Sequence, residues 1–146
     1  MLPPRPEEQV VTPRRILIVD DDSGARECYG RLFRRHGYEP CLAPSGTWVE
    51  SNLASLRDIQ VILLDHRMPG LTGLQLLRRL RSSGFRAIAL LISAHVSSEM
   101  SAEAGRLGIS RIFHKPVESA ALLMSVAEAF TQFQEGRPGD FSTGSP

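Results

Sequence analysis

Short apolar runs alternate with helical segments along most of the chain, and this alternation constrains the fold more than any other feature. The strongest apolar runs, each typical of a strand buried on both faces, are 16–19, 59–64 and 87–92. Weaker strands are predicted at 38–43 and 109–114. The spacing of apolar residues predicts helices over 23–36, 45–56, 73–83, 97–107 and 118–133. Five consecutive βα units predict an α/β fold, in which a parallel sheet carries helices on both faces.

The prolines indicate where the folded unit begins and ends. Six of the ten lie near the termini: Pro3, Pro4, Pro6, Pro13, Pro138 and Pro146. We therefore predict one folded domain over 14–134, with flexible tails at 1–13 and 135–146. The residues after 134 are too few for a DNA-binding helix-turn-helix, which favours a single-domain protein. The alternative, an N-terminal piece of a longer transcriptional regulator, stays open.

Composition excludes several classes of protein. The 146 residues carry a formal net charge of +1, so nothing draws the chain towards nucleic acid or acidic membranes in general. No apolar run is long enough to span a bilayer, and the N-terminus with Glu7 and Glu8 does not resemble a secretory signal. The two cysteines, Cys28 and Cys41, form no disulfide framework. We expect a cytoplasmic protein without direct nucleic-acid or membrane binding.

Side chains that could bind a ligand or take part in a reaction follow the predicted strands. They are Asp20, Asp21 and Asp22 after the first strong strand, Asp65 after the second, Ser93 after the third, and Lys115 and Pro116 after the last. In a parallel sheet with helices on both faces, ligands bind beyond the carboxyl ends of the strands. We therefore expect these residues to share one site.

The chemistry of this set favours phosphoryl transfer assisted by a divalent cation. Clustered carboxylates repel one another, and Mg²⁺, which prefers oxygen ligands, relieves that conflict. Phosphoryl transfer requires mainly positioning and charge neutralisation. Asp65 would be the nucleophile, Lys115 would neutralise the phosphoryl charge, and Ser93 would donate a hydrogen bond to it.

Taken singly, each residue also has an ordinary explanation. An aspartate after a strand often opens a turn or caps a helix, and we assign Asp22 mainly to capping. Ser93 could cap a helix, and Lys115 could be a surface lysine. Lys115 is nevertheless the only lysine beside sixteen arginines. A point charge suits a compact phosphoryl group better than the broad guanidinium fork.

Four motifs in order resemble the receiver domain of two-component response regulators, and the resemblance covers about 14–134. They are Ile-Leu-Ile-Val-Asp-Asp-Asp at 16–22, Val-Ile-Leu-Leu-Asp-His-Arg-Met-Pro-Gly at 61–70 with Gly73, Ile-Ser-Ala at 92–94, and His-Lys-Pro at 114–116. The resemblance implies a flavodoxin-like (βα)5 doubly wound parallel sheet with strand order 2-1-3-4-5.

The resemblance also implies a role for each matching residue. Asp65 corresponds to the phosphoacceptor and to a metal ligand. Asp21 corresponds to a direct Mg²⁺ ligand, Asp20 to one acting through water, and Arg67 to the backbone carbonyl that completes the metal site. The phosphoryl-binding and switch positions are Ser93, Ala94 and Lys115, and Pro116 corresponds to a proline that follows a cis peptide bond. Arg67 and His95 occupy positions that tune the lifetime of the phosphoryl group, although both could simply face solvent.

The implied partners are proteins. A sensor histidine kinase or a histidine phosphotransfer protein would donate the phosphoryl group, and a downstream protein target would read the altered surface. A phosphorylation-dependent homodimer is a further expectation. The resemblance implies a signalling domain that catalyses only its own phosphorylation and dephosphorylation, rather than an enzyme with external substrates.

One departure from the family keeps an alternative open. The aromatic switch residue of many members is replaced by Ile112, with Phe113 beside it. This allows an unphosphorylated module that acts through protein contacts alone. An aspartate-nucleophile phosphatase is disfavoured, because such enzymes usually carry a second acid where this chain has Arg67.

Overall fold

The computed structural model describes residues 12–136 and contains five strands and five α-helices in alternation. The strands are β1 (Arg15–Val19), β2 (Glu39–Ala43), β3 (Val61–Asp65), β4 (Ile88–Ser93) and β5 (Ile109–His114). The helices are α1 (Ser23–Arg35), α2 (Gly46–Ser51), α3 (Gly73–Ser82), α4 (Ser98–Arg106) and α5 (Ser119–Gln134). The tails predicted at 1–13 and 135–146 lie outside the described residues, except for the two innermost residues of each.

All five strands are parallel and form one sheet in the order β2-β1-β3-β4-β5. This confirms the predicted fold class and strand order. Every residue of β3 and β4 is buried, whereas β2 and β5 are partly exposed. The central strands therefore read as continuous apolar runs in the sequence, and the two edge strands give weaker signals.

The sheet separates two hydrophobic cores because alternate side chains of a strand point to opposite faces. Leu17 and Val19 of β1 pack with α2, α3 and α4 on one face, whereas Ile16 and Ile18 pack with α1 and α5 on the other. The two faces thus fix the register of each strand, and with it the position of the residue that follows.

Capping residues set where the helices begin. The Asp22 carboxylate accepts a hydrogen bond from the Gly24 N–H at 3.2 Å, which confirms its predicted capping role. Thr72 and Gln75 form a reciprocal capping box at the start of α3. Among the helices in the described part of the chain, none has the length and hydrophobicity required to cross a bilayer.

The helix predicted over 45–56 was wrong in its second half. The α-helix ends at Ser51, and a separate 3-10 helix spans Leu53–Leu56. The side chain of Asn52 donates a hydrogen bond to the Trp48 carbonyl at 2.7 Å, and its backbone leaves the helical region at φ −115°. A side chain that competes locally for backbone carbonyls is a known reason for a helix to stop.

Candidate functional site

Four adjacent strands deliver the predicted residues to one edge of the sheet. Asp20 follows β1, Asp65 is the last residue of β3, Ser93 is the last residue of β4, and Lys115 follows β5. These strands are consecutive neighbours in the sheet. The backbone N–H of Lys115 also donates to the Ser93 carbonyl at 2.9 Å, so the ends of β4 and β5 are joined directly beside the site.

Three carboxylates form the centre of this edge. One oxygen each from Asp20, Asp21 and Asp65 lies within 4.8 Å of the others. Asp20 is only 4% exposed and Asp65 only 6%, whereas Asp21 is exposed. Two buried carboxylates beside a third acid are unfavourable on their own, because each charge is poorly solvated and repels the next.

Asp20 is held in place on three sides. Its Oδ1 accepts a hydrogen bond from the Asp22 N–H at 2.9 Å, its own N–H donates to the Ala43 carbonyl at 3.2 Å, and its carbonyl accepts from Arg26 Nη1 at 2.8 Å. Burial, and to a smaller extent repulsion from Asp65, outweighs the opposing effects of the Asp22 N–H and of Lys115, so the pKa of Asp20 is raised to about 6. The carboxyl group is fixed in position, but its negatively charged form is disfavoured there.

Arg26 is a contributor that sequence reasoning missed. A basic residue near the N-terminus of a helix opposes the helix dipole, and the only carboxylate at this end of α1 that offsets it is the capping Asp22. This unfavourable position was the one feature of the sequence that indicated a role for Arg26 outside its own helix. The structure accounts for it, since the guanidinium reaches back to fix the loop that carries Asp20.

Lys115 faces Asp65 across the site. Its Nζ lies 3.0 Å from Asp65 Oδ1, and its side chain is 40% exposed whereas that of Asp65 is 6% exposed. Among the described residues, no group donates a hydrogen bond of good geometry to this buried oxygen. Asp65 therefore has an ion-pair partner and an oxygen that can still accept a further ligand.

Gly73 fixes the loop that follows Asp65. A Cβ at this position would lie 2.7 Å from the Asp65 carbonyl oxygen and 3.1 Å from the His66 Cα, so only glycine permits this approach. The Gly73 N–H donates to the His66 carbonyl, and the His66 N–H donates to the Ile92 carbonyl, both at 2.9 Å. The first residue of α3 thus packs directly against the backbone of Asp65.

The Ser93 hydroxyl is engaged by its own loop. It donates to the His95 carbonyl at 2.6 Å and accepts from the His95 N–H at 3.2 Å, and Ser93 is only 5% exposed. Ala94, His95 and Arg67 are exposed around the opening of the site. The Lys115–Pro116 peptide bond is cis.

The electrostatic influence of the carboxylates extends to neighbouring side chains. Burial, together with the nearby negative charges of Asp20 and Asp65, raises the pKa of Tyr29 on α1 to about 12. Burial lowers the pKa of His66, an effect that the adjacent Asp65 opposes. A phenol and a neutral imidazole therefore border the acidic site.

Ile112 and Phe113 lie on opposite faces of β5. Ile112 packs against the core shared by α2, α3 and α4. Phe113 is buried in the core shared by α1 and α5, with the Arg111 guanidinium 4.9 Å from its ring centroid. Because neighbouring side chains of a strand alternate, Phe113 cannot take the place of an aromatic residue at position 112.

The carboxylate cluster suits a hard divalent cation. It offers only oxygen donors, and the buried Asp65 oxygen has room in its hydrogen-bonding capacity for a ligand. Mg²⁺ binds through one or two carboxylates and retains several waters, so an exposed Asp21 beside two buried acids matches its requirements. The residues present therefore fit Mg²⁺.

Comparisons with known proteins agree on one family. Residues 16–127 match the family model for the response regulator receiver domain. Regulatory protein AtoC of Escherichia coli is 32% identical over 115 residues, which cover 79% of this chain but 25% of that protein. Sporulation initiation phosphotransferase F of Bacillus subtilis is 29% identical over 104 residues, which cover 71% of this chain and 83% of that protein.

A solved structure supports the same fold. The CheY-like receiver domain protein of Methanospirillum hungatei superposes with a TM-score of 0.76 at 24% identity, covering 85% of this chain and 98% of that one. The match thus covers nearly all of that solved chain but only a quarter of the length of AtoC.

Proposed function

The chain belongs to the response regulator receiver domain family of two-component signalling systems, and we propose that it accepts a phosphoryl group on Asp65 in a magnesium-dependent reaction. The observation that carries this proposal is the position of Asp65. Its carboxylate is buried, lies within ligand distance of Asp20 and Asp21, and contacts Lys115 at 3.0 Å. A nucleophilic carboxylate surrounded by oxygen ligands and one ammonium suits phosphoryl transfer.

The proposed reaction transfers a phosphoryl group from a phosphohistidine of a sensor histidine kinase or a histidine phosphotransfer protein. The N–P bond breaks, its electron pair remains on the imidazole nitrogen, and a carboxylate oxygen of Asp65 forms the new O–P bond. Bound at Asp20, Asp21, Asp65 and the Arg67 carbonyl, Mg²⁺ would neutralise phosphoryl charge and help to orient its oxygens.

The remaining residues receive the transferred group. Lys115, already beside Asp65, would pair with a phosphoryl oxygen. Ser93 would exchange its hydrogen bonds with His95 for one to the phosphoryl group, with the Ala94 backbone beside it. Arg67 and His95 lie exposed at the opening, where their side chains would control how readily water reaches the acyl phosphate.

The downstream effect in this proposal is a change in protein contacts. Rearrangement of Ser93 would alter the loop between β4 and α4, and so favour one of two conformations of the neighbouring surface. A downstream protein target, or a second copy of the chain, would recognise the favoured conformation. We propose that residues 14–134 form the complete receiver unit.

Phosphorylation with a small-molecule donor tests the proposal. The wild-type protein, incubated with acetyl phosphate and Mg²⁺, should gain one phosphoryl group by intact-mass spectrometry, and a chelator should prevent this. Asp65→Asn should remain unlabelled. Asp22→Asn is the matched control, because Asp22 caps α1 and lies outside the carboxylate cluster, and it should be labelled normally.

Two results would contradict the proposal. The first is a wild-type protein that stays unlabelled with both acetyl phosphate and phosphoramidate. The second is labelling that persists in Asp65→Asn at the wild-type rate, which would place the acceptor elsewhere.

A further inference from the structure

Helix α4 has little apolar contact with the rest of the molecule. Only one of its residues, Ala104, is buried, and Met100 is partly buried against the same core. By comparison, α3 and α5 each bury five residues. The loop before α4, residues 94–97, is exposed throughout. Helices α1 and α2 bury two residues each, so α4 buries the fewest of the five described α-helices. Because burial supplies most helix stability in proteins, polar contacts contribute a larger share of the stability of α4.

Those polar contacts come from α3. The Arg78 guanidinium forms an ion pair with Glu103 on α4. Arg81 donates through Nε to the Leu107 carbonyl at 3.1 Å, directly after α4, and through Nη1 to the Phe85 carbonyl at 2.9 Å. We name the contacts of Arg78 with Glu103 and of Arg81 with the Leu107 carbonyl the α3–α4 clamp.

The opposite end of α3 touches the proposed phosphoacceptor. A Cβ on Gly73 would meet the Asp65 carbonyl oxygen at 2.7 Å, so the helix start and the Asp65 backbone are in direct contact. Between these ends α3 is well anchored, with a capping box at its start and four buried leucines along its length. The well-anchored helix α3 therefore connects the Asp65 backbone to Arg78 and Arg81, which hold α4.

We propose that the α3–α4 clamp restrains α4 and that α3 couples this restraint to the state of Asp65. The strength of the clamp then sets how readily α4 moves on phosphorylation. This effect of phosphorylation, unlike the restraint itself, rests on the proposed function. The coupling runs through α3 and is separate from the path through Ser93, since it uses no residue of the β4–α4 loop.

The Arg78–Glu103 pair is the part of the clamp that a single substitution can remove cleanly. The Glu103 side chain is 26% exposed and its Oε1 is buried, so water cannot fully replace the guanidinium. From the usual strength of such pairs, its loss should increase local opening of α4 about two- to fivefold.

Hydrogen–deuterium exchange of the unphosphorylated protein tests the restraint. In Arg78→Gln and in Glu103→Gln, the amides of α4 should exchange about two- to fivefold faster than in wild type, while those of α5 are unchanged. The matched control is Arg79→Gln. Arg79 is the next residue on α3 and pairs with Glu50 on α2 at 2.9 Å, so its loss should leave α4 unaffected.

A charge reversal distinguishes the ion pair from a general disturbance. Arg78→Glu with Glu103→Arg should return α4 exchange to within about twofold of wild type, because the attraction is restored. Unchanged α4 exchange in both single variants, or an equal increase in Arg79→Gln, would overturn the proposal.

The coupling is tested by repeating the exchange measurement with acetyl phosphate and Mg²⁺. The increase in α4 exchange on phosphorylation should be smaller in Arg78→Gln than in wild type, since part of the restraint has already been removed. Equal increases would overturn the coupling. A wild-type protein that stays unlabelled with both acetyl phosphate and phosphoramidate would instead overturn the proposed function. The exchange measurement on the unphosphorylated protein would still decide whether the clamp restrains α4.

Discussion

The interior of the sheet and its carboxyl edge are built from the same strands, yet burial has opposite effects on their side chains. Ile16 and Ile18 of β1 are at most 1% exposed, and burying each contributes roughly 1.5–3 kcal/mol to stability. Two residues later Asp20 is almost as deeply buried, and the pKa of its carboxyl is raised to about 6. The raised pKa shows that the charged carboxylate is disfavoured there.

This difference explains how the chain can hold an unfavourable group of charges. The apolar parts of β1, β3 and β4 fix the backbone, so the residues at their ends cannot move apart to relieve repulsion. Lys115 relieves part of this repulsion, and a bound cation or a proton relieves the rest. Variants of the interior should therefore destabilise the protein, and neutral variants of the edge should stabilise it when metal is absent.

The largest effect should come from Phe130→Ala in the interior. Phe130 is 2% exposed and stacks on Tyr38 with ring centroids 5.0 Å apart. Its truncation should lower the free energy of unfolding by about 3–5 kcal/mol, measured by urea denaturation. Met124→Ala is the control on the same helix, because Met124 is 66% exposed, and it should change stability by less than about 0.5 kcal/mol. Equal losses would show that α5 is not anchored by its buried face.

Gly73→Ala should give the next largest loss, at the boundary between interior and edge. The new methyl group would meet backbone at 2.7 Å, so α3 or the Asp65 loop must shift. We expect a loss of about 2–3 kcal/mol in the free energy of unfolding and slower phosphorylation of Asp65. Gly24→Ala is the control, since a Cβ there meets only the Asp22 side chain, at 3.6 Å. A stable Gly73→Ala protein with normal labelling would contradict the close packing.

Asp20→Asn should act in the opposite direction. In the folded protein the pKa of Asp20 is raised from 3.8 to about 6, so the folded state binds the proton more tightly than the unfolded chain. The resulting stability is fully present below about pH 4 and is lost as the pH rises through about 6. At pH 7.5 in chelator, the neutral asparagine should therefore raise the free energy of unfolding by about 1–2 kcal/mol.

The measurement is urea denaturation of wild type and Asp20→Asn between pH 4 and 8 without metal. The wild type should lose stability across this range relative to the variant, and added Mg²⁺ should stabilise the wild type more. Asp22→Asn is the matched control, because asparagine also caps helices well. If Asp20→Asn were less stable than wild type at pH 7.5, the buried carboxylate would not be the source of strain at this edge.

The interior was also the part of the molecule that the sequence predicted best. Apolar runs at 16–19, 59–64 and 87–92, interrupted only by Gln60, predict the central strands, because strands buried on both faces lack regular polar alternation. Once the strands and their parallel arrangement are predicted, the residues after them must meet at one edge. The parallel arrangement thus predicts that Asp20, Asp65 and Lys115 lie at one edge, and the strand order implied by the family resemblance predicts that they are close together.

The details that failed depend on single side chains in three dimensions. Asn52 ends α2 by bonding to the Trp48 carbonyl, and no apolar periodicity reveals that competition. Cys28 of α1 is exposed, whereas Gly30 is buried where α1 approaches Leu42 closely, and apolar spacing alone predicts neither. The link between Arg26 and Asp20 likewise requires a side chain to fold back over its own helix.

Lys115→Arg should give the smallest change in stability and still impair function. Both residues carry one positive charge, and the side chain is 40% exposed, so the free energy of unfolding should change by less than about 0.5 kcal/mol. The guanidinium, however, is broader than an ammonium and cannot reproduce a single Nζ at 3.0 Å from Asp65 while leaving space for a phosphoryl group. The rate of labelling by acetyl phosphate, or the exchange response of α4 to it, should fall severalfold. Lysine occurs only at position 115, whereas the chain has arginine at sixteen other positions. A fully responsive Lys115→Arg protein would show that position 115 requires only a positive charge.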